Sequence, residues 1–258
     1  LKASPAHDEF ERYLLYLGKI LTAKTGVLWL TLSRDGQVIV HTFPENTAEL
    51  FMQRVWKDTE KLHLFCHHAD LADNFAFTNM ELGLPEKTTC MSSSDICPLP
   101  LVEAQTKISN PNNPNNIKEV AHELGLHIPN VKGNIFLLIT SKKSAEQFFY
   151  ALSETADEEG RKLFVQNMSG GMGKIYKMSM RTEGQNIYVG NEGLLNFLLS
   201  EGTPLAFLAI HRLPFAYPNS PIQKVRTANR ADAYKEFSLP QAALKFRGIL
   251  SQFLGNKW

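Results

Sequence analysis

Residues 27–43 read VLWLTLSRDGQVIVHTF, in which two β-rich runs flank the turn residues Asp35 and Gly36. An Asp-Gly pair in this position predicts a β-hairpin, because glycine tolerates the positive φ that a tight turn demands. Just downstream, Asn46 is placed to cap a helix, and residues 62–68 (LHLFCHH) predict a buried strand. The order strand, turn, strand, capped helix, strand defines a ββαβ unit.

A second region of the chain repeats this order. Residues 173–179 predict a strand, a turn containing Gly184 follows, and residues 185–190 (QNIYVG) predict a second strand. Asn191 can then cap a helix, and residues 204–212 (PLAFLAIHR) predict a buried strand. RDGQVIV in the first region therefore matches RTEGQNIYV in the second, which is the pattern of an internal duplication.

An amphipathic helix precedes each of the two regions, over residues 9–24 and about 144–167. The predicted fold class is α/β of the α+β type, with two related halves. Each half is a helix followed by a ββαβ unit with a mainly antiparallel sheet. A chance similarity between two common ββαβ units is the alternative to an internal duplication.

Residues 109–116 (SNPNNPNN) oppose both helix and strand, since asparagine and proline alternate there. They predict a linker between a first half over residues 1–108 and a second α/β half over residues 117–258, which ends in a C-terminal helix. Residues 134–140 (NIFLLIT) predict a further strand in the second half, and residues 214–230 predict an extended surface loop.

The charge of the chain is balanced. Its 258 residues include 27 Lys and Arg against 26 Asp and Glu, which leaves a formal net charge of +1. A protein that binds phosphate backbones usually carries a large basic excess. The composition therefore gives no strong nucleic-acid signal, and it predicts that nucleic acid is not the main partner.

The sequence also bears on location. No apolar run reaches the roughly 18 residues of a transmembrane helix, and the first residues lack the apolar segment of a signal peptide. Cys66, Cys90 and Cys97 are too few for a disulfide framework. Reduced thiols in a cytoplasmic protein without a transmembrane segment are the prediction, and a Cys90–Cys97 bridge in an oxidising compartment is the alternative.

A glycine-rich stretch, SGGMGKIYK, occupies residues 169–177. It resembles the phosphate-covering loop of bacterial serine/threonine protein kinases, in which GGMG precedes a hydrophobic residue and a tyrosine. The resemblance covers nine residues. A kinase also needs an HRD catalytic loop and a DFG metal site, and the sequence contains neither.

The same stretch is not a P-loop, because Ile175 stands where that motif requires serine or threonine. A flexible loop is one interpretation. The other is a phosphate site made of backbone N–H groups, with a lysine as the charge partner. Its candidate ligand-binding residues are Gly170, Gly171, Gly173 and Lys174.

Two groups of potential zinc ligands fail on spacing. His122 and His127 are five residues apart instead of the four that place two histidines on one helix face, and Gly125 is expected to end the helix between them. A second group is His63, Cys66, His67, His68, Cys90 and Cys97. Its cysteine spacing is wider than that of structural zinc sites. The sequence therefore predicts no metal site and no cofactor.

The chain has no G-x-S-x-G nucleophile elbow either, so no complete catalytic set is recognisable. We therefore predict a non-catalytic protein–protein interaction or assembly subunit, such as an adaptor. It would be a bacterial cytoplasmic accessory component of a larger complex, with other protein subunits as partners. The alternative is a phosphate- or nucleotide-binding enzyme that uses the glycine-rich loop over residues 169–174.

The end of the chain supplies the candidate partner-binding residues. Pro240 can start a last helix that carries Phe253, and Trp258 follows it as the final residue. A large apolar side chain at a chain end must pack on its own domain or be covered by another molecule. Phe253 and Trp258 are therefore predicted to contact a partner.

Overall fold

The structure is a computed structural model that describes residues 11–18, 26–33, 35–44, 46–66, 69–71, 74–85, 87–91, 107–182 and 184–255. The chain forms two compact units. Unit 1 comprises Leu1–Ser92 and Phe215–Ala242, and unit 2 comprises Ser93–Pro214 and Ala243–Trp258.

The elements follow one another along the described residues. The strands are β1 (Val27–Leu32), β2 (Val38–Phe43), β3 (Asn134–Leu138), β4 (Lys162–Val165), β5 (Asn186–Gly190) and β6 (Leu205–Ile210). The helices are α1 (residues 11–18), α2 (Thr47–Phe51), α3 (Ala76–Leu82), α4 (Asn116–His127), α5 (Lys142–Glu158), α6 (Met172–Ser179), α7 (Glu192–Ser200), α8 (Pro221–Ala228) and α9 (Leu239–Gly255). Two π-helical segments, Met52–Trp56 and Tyr234–Ser238, and one 3₁₀ segment, Ile128–Asn130, complete them.

The predicted hairpin of unit 1 is confirmed. Strands β1 and β2 pair antiparallel, with Val27 opposite Phe43. The turn closes through the Ser33 carbonyl, which accepts from the Gly36 N–H at 3.1 Å, and Gly36 has a φ of 82°. Glycine is needed at such a φ, since a side chain would be strained there. The Asn46 cap of α2 is also present, because its Oδ1 accepts from the Glu49 N–H at 3.0 Å.

Two arginines organise the interior of unit 1. The Arg226 and Arg230 guanidinium groups both lie over the buried Phe237 ring, at 5.6 and 4.7 Å from its centroid. The Glu81 carboxylate bridges them, with N–O distances of 3.4 Å to Arg226 and 3.0 Å to Arg230. Arg226 also lies 5.3 Å from the centroid of the Phe43 ring on β2. The cluster therefore joins the hairpin, α3, α8 and the second π-helical segment.

Unit 2 is built on a four-stranded sheet in the order β4-β5-β3-β6, and each pairing in it is parallel. Every residue of β3 is buried. Alternate side chains of a strand point to opposite faces of the sheet, so both faces are covered here. Ile135 and Leu137 pack against α4 and α5, whereas Phe136 and Leu138 pack against α6, α7 and the end of α9. Helices on both faces are what a fully buried parallel sheet requires.

Two polar side chains tie the amino end of β3 to its surroundings. The Arg161 guanidinium, whose residue is only 4% exposed, donates to the carbonyls of Gly133, Ile128 and Val131, just before β3. Asn134 Oδ1 accepts from the Asn186 N–H at 2.9 Å, which links β3 to β5. Buried polar groups of this kind are stable only when they are hydrogen-bonded.

Several predicted elements of the second half are wrong. Residues 173–179 lie in helix α6 and not in a strand, because Ile175 and Ser179, four residues apart, share the buried face. Strand β4 lies within the range 144–167 that we predicted as one helix, and Gly160, with a φ of 63°, separates α5 from it. The main sheet is parallel instead of mainly antiparallel. The mixed α/β class holds, whereas the ββαβ layout and the internal duplication are unconfirmed.

Three further local predictions are corrected. Residues 61–66 have no regular secondary structure and are exposed, so the predicted buried strand is absent there. Residues 214–230 contain helix α8, which begins because Ser220 Oγ accepts from the Gln223 N–H at 3.3 Å and Pro221 follows the cap. Helix α4 continues through Gly125 to His127, because a single glycine in a buried helix lowers its stability without ending it.

Other predictions from the sequence stay open. The division into residues 1–108, 109–116 and 117–258 remains a prediction, and the 109–116 stretch forms turns that lead into α4. Among the helices that the structure describes, none is long and apolar enough to cross a membrane. The cytoplasmic location likewise stays a prediction.

The burial of β3 leads to a test with a matched control. Leu137→Ala removes a side chain that is 0% exposed, so we expect it to lower the free energy of unfolding by about 2–5 kcal/mol. Leu30→Ala on the hairpin changes a side chain that is 63% exposed, and we expect a change within about 0.5 kcal/mol. Urea denaturation followed by circular dichroism measures both values, and equal losses would contradict the packing described.

Candidate functional site

The carboxyl ends of the four parallel strands of unit 2 lie at one edge of its sheet. We call this the carboxyl edge and define it by the residues that follow the strands, namely 139–141 after β3, 166–171 after β4, Asn191 after β5 and 211–212 after β6. In open parallel sheets, ligands bind outside the carboxyl ends of the strands. The carboxyl edge is therefore the candidate functional site of unit 2.

The loop after β4 has a defined conformation. Asn167 and Gly170 have positive φ values of 70° and 124°. The Asn167 N–H donates to the Gly170 carbonyl at 3.2 Å, and Ser169 Oγ accepts from the Val165 N–H at 3.0 Å. These bonds turn the chain back on itself, so that Gly171 is delivered to the start of α6.

Helix α6 begins at this loop without a side-chain cap. Its N-cap residue is Gly171, whose carbonyl accepts from the Lys174 and Ile175 N–H groups, both at 3.0 Å. The N–H groups of Met172 and Gly173 precede these bonds and are not part of the helical ladder. Gly171 and Gly173 are exposed and have open space where a side chain would stand. A helix start of this kind presents N–H groups and a partial positive charge to an anion.

The Lys174 side chain lies against the loop. A Cβ added to Gly170 would come within 2.6 Å of Lys174 Cδ, so the lysine stem passes directly over that glycine. Lys174 itself is exposed. Its ammonium group is therefore available next to the first turn of α6.

A cross-link holds the two loops after β4 and β5 together. Gln166 Oε1 accepts from the Asn191 N–H at 2.9 Å, and Asn191 Oδ1 caps α7 by accepting from the Leu194 N–H at 3.2 Å. Gly190 makes this approach feasible. A Cβ there would stand 2.5 Å from Leu194 Cδ2 and 3.0 Å from Gln166 Oε1. The start of α7 is thus fixed beside the start of α6.

Helix α5 brings two more lysines to the carboxyl edge. Ser141 caps it, since its Oγ accepts from the Ser144 N–H at 3.1 Å. Lys142 and Lys143 follow in the first turn, and both are exposed. With Lys174, they place three ammonium groups on this edge. The Glu192 carboxylate, at the start of α7, is 2.8 Å from Lys245 Nζ and is neutralised by it.

A half-buried histidine, His211, follows the end of β6. His211 Nε2 is 2.8 Å from Asn116 Oδ1, and Asn116 Nδ2 donates to the Ser109 carbonyl at 2.7 Å. Because Asn116 uses its Nδ2 to donate to Ser109, its Oδ1 is the acceptor that faces His211, and the histidine proton is assigned to Nε2. Nδ1 is then an acceptor, and it has no hydrogen-bond partner among the described residues. Burial, with a smaller contribution from Arg212, lowers the pKa of His211 to about 4.

The sequence-derived site residues fall into two groups. Gly170, Gly171, Gly173 and Lys174 lie together at the carboxyl edge, and their role as ligand-binding residues remains a proposal. Phe253 is 5% exposed and packs in the core of unit 2. Trp258 lies outside the described residues, so the partner-binding role of this pair also stays a prediction.

The structure places some of the candidate metal ligands. Within the described ranges, no group of three or more His, Cys, Asp or Glu residues is arranged to hold a metal ion. His122 is exposed, and His127 Nε2 lies 3.2 Å from Glu123 Oε1 on the same helix. His67, His68 and Cys97 lie outside the described residues.

Sequence reasoning missed the residues that complete the site. Gln166, Lys142 and Lys143 were not singled out, because nothing in their local sequence marks a shared position. Asn191 was identified only as a helix cap. A correct assignment of β4 would have found Gln166, since it would have placed the glycine-rich loop at the carboxyl end of a parallel strand.

Comparison with known proteins adds one finding. No protein-family model matches the chain. The chain is similar to the 3'-5' exonuclease DinG of Bacillus subtilis (strain 168), with 23% identity over 248 residues. The match covers 89% of this chain and 26% of that protein, so the chain spans about a quarter of the length of its relative.

This similarity overturns three predictions. The predictions of a non-catalytic interaction or assembly subunit, of an adaptor role and of protein partners without a nucleic-acid signal are wrong, because the similar protein is an exonuclease. Two steps of the reasoning failed. The search for short catalytic motifs cannot detect a similarity that is spread over the chain, and a net charge of +1 says nothing about where the lysines lie.

The half-buried side chain of His211 makes stability depend on pH. Its pKa is about 4 in the folded protein against 6.5 for the ordinary side chain, so the unfolded chain takes up the proton first as the pH falls. Stability that is present above pH 6.5 should therefore be lost progressively towards pH 4.

We expect the melting temperature of the parent protein to fall between about pH 7 and pH 5, and that of His211→Gln to change much less. Differential scanning fluorimetry across this range measures both. His122→Gln, at an exposed histidine of α4, is the matched control and should keep the slope of the parent. A parental slope in His211→Gln would contradict the assignment.

Proposed function

We propose that the chain is the nucleic-acid-binding part of a nucleic-acid-processing enzyme, and that the carboxyl edge of unit 2 binds the sugar–phosphate backbone. In this proposal a backbone phosphate is held at the start of α6, by the N–H groups of Met172 and Gly173 and by the ammonium group of Lys174. Lys142 and Lys143 bind a neighbouring phosphate from the first turn of α5.

The observation that carries the proposal is the uncapped start of α6. A side chain from Ser, Thr, Asp or Asn caps most helices of this kind, and Asn191 and Ser141 do so for α7 and α5. Gly171 leaves the N–H groups of α6 without such a cap. The absence of a side chain at Gly171 and Gly173 lets an anion approach the backbone closely.

The charges around this point support an anionic ligand. Lys142, Lys143 and Lys174 are exposed at the carboxyl edge, and the Glu192 carboxylate is paired with Lys245. Each lysine that contacts a phosphate releases counterions from the nucleic acid, which strengthens binding at low salt. The local excess of positive charge is hidden in the balanced total of the chain.

The similarity to an exonuclease supports nucleic acid as the source of the phosphate. The relative acts, by its name, as a 3'-5' exonuclease, and the chain corresponds to about a quarter of it. We propose that the part represented by this chain holds the strand. The Gln166–Asn191 cross-link serves this role, because it fixes the starts of α6 and α7 relative to each other before a ligand arrives.

The proposal predicts salt-dependent binding of nucleic acid that requires the lysines of the carboxyl edge. Lys174→Gln and the double variant Lys142→Gln/Lys143→Gln should each bind a fluorescein-labelled single-stranded DNA more weakly than the parent. The slope of log affinity against log salt should fall by roughly 0.7 for each phosphate that the variant no longer neutralises. Fluorescence anisotropy between roughly 50 and 200 mM salt covers the range in which this dependence is resolved.

Lys162→Gln is the matched control. Lys162 is an exposed lysine on the same sheet, but it begins β4 and therefore lies at the opposite edge. Its substitution changes the net charge by the same amount as Lys174→Gln and should leave the affinity and the slope at parental values. Equal losses in Lys162→Gln and Lys174→Gln, or no binding by the parent at the lowest salt, would refute the proposal.

A further inference from the structure

A second segment of unit 2 lies at the carboxyl edge and has no role in the proposed phosphate site. It is the turn-rich stretch of residues 109–115, which we call the Asn/Pro loop. The His211 N–H donates to the Leu138 carbonyl at 3.0 Å, so His211 sits where β3 and β6 end. His211 Nε2 then bonds Asn116, the residue after the loop, and the Arg212 guanidinium donates to the Pro111 carbonyl.

Two asparagines give the Asn/Pro loop its shape. Asn110 Oδ1 accepts from the Asn112 N–H at 3.0 Å, and Asn113 Oδ1 accepts from the Asn115 N–H at 2.9 Å. Backbone bonds from the Asn113 N–H to the Asn110 carbonyl (2.8 Å) and from the Asn116 N–H to the Asn113 carbonyl (3.0 Å) close both turns. The loop is therefore ordered by its own side chains and is anchored at one end by His211.

The other two asparagines are not used in this way. Asn112 and Asn115 are exposed, and neither side chain makes a hydrogen bond to any residue that the structure describes. Each amide offers two donor hydrogens and one acceptor oxygen. Lys107 and Lys118, on either side of the loop, are exposed as well, and the Glu119 carboxylate accepts from the Ser109 N–H. The loop thus presents exposed amide groups with a lysine on either side.

The distance between this loop and the glycine-rich loop is set by the sheet. The strand order β4-β5-β3-β6 puts three strand spacings between the end of β4 and the end of β6. At roughly 4.8 Å per spacing, the carboxyl ends of β4 and β6 are about 14 Å apart. A single strand that contacts both loops must span this distance, which takes several nucleotides.

We propose that the Asn/Pro loop is a second nucleic-acid contact, in which the Asn112 and Asn115 amides bond a nucleotide several positions away from the one held at the start of α6. Asparagine amides are common partners of phosphate and sugar oxygens and of base edges. The inference rests on the proposed function, because it extends the same binding surface along the carboxyl edge.

The test uses the whole chain and labelled oligothymidylates of two to ten nucleotides. We expect the double variant Asn112→Ala/Asn115→Ala to bind the octamer about 3- to 10-fold more weakly, which corresponds to removing one or two hydrogen bonds. The dimer cannot reach both loops, so its affinity should be the same for the variant and the parent. The melting temperature should not change, because neither side chain supports the fold.

Gln185→Ala is the matched control, since Gln185 is an exposed amide before β5 and lies at the opposite edge of the sheet. It should bind every oligothymidylate as the parent does. A second measurement uses octamers with one photoreactive 4-thiothymidine. Cross-links to the tryptic peptide that contains residues 109–115 should appear only when the 4-thiothymidine stands near one end of the octamer.

The outcomes separate the two proposals. If Asn112→Ala/Asn115→Ala binds the octamer like the parent while Lys174→Gln still weakens binding, the Asn/Pro loop is not a contact and the proposed function stands. An equal loss for the dimer and the octamer would also overturn the inference, because the loop would then act without the spacing. If the parent binds no oligothymidylate, the proposed function itself fails.

Discussion

The burial of β3 is the constraint on which unit 2 depends. Its side chains feed both faces of the sheet, and its backbone pairs with β5 on one side and β6 on the other. Neighbouring parallel strands can be joined only by a connection that crosses a face of the sheet, which is why each connection between β3, β4, β5 and β6 contains a helix. The start of β3 is held by Arg161, a buried cation whose guanidinium group donates to three carbonyl groups. Burial lowers the pKa of Arg161 from its ordinary value, and the hydrogen bonds offset much of the cost of that burial.

The parallel direction of the strands determines at which edge of the sheet the helices begin. Because all four strands point the same way, the helices that follow β3, β4 and β5 begin at the same edge of the sheet. The first N–H groups of α5, α6 and α7 are thereby brought together, although their residues are far apart in the chain. Two of these helix starts are capped by their own side chains, at Ser141 and Asn191. The third, at Gly171, has no side-chain cap, and the proposed anion site rests on this difference.

Unit 1 follows a different principle. Its two-stranded hairpin has few buried residues, and a hairpin by itself is only marginally stable. The interior is organised instead by the stacking of Arg226 and Arg230 on Phe237 and by the Glu81 carboxylate between them. Planar guanidinium groups suit this role, because they stack on rings and bond a carboxylate at the same time.

The sequence by itself determined the features that depend on neighbouring residues. The Asp35-Gly36 hairpin, the Asn46 and Asn191 caps and the strands at β3, β5 and β6 follow from local turn chemistry and from runs of apolar residues. The glycine-rich residues Gly170, Gly171, Gly173 and Lys174 were also found locally, as a stretch with an unusual composition. Tertiary structure decided the rest. The stretch from Gly173 is a helix because its buried positions are four residues apart, and β4 is a strand because β5 offers it a partner. The carboxyl edge brings Gln166 next to Asn191, and Lys142 to the same edge as Lys174, only because the strands run parallel. Hydrogen bonds between segments that are distant in the chain set this direction, so the local sequence does not reveal it.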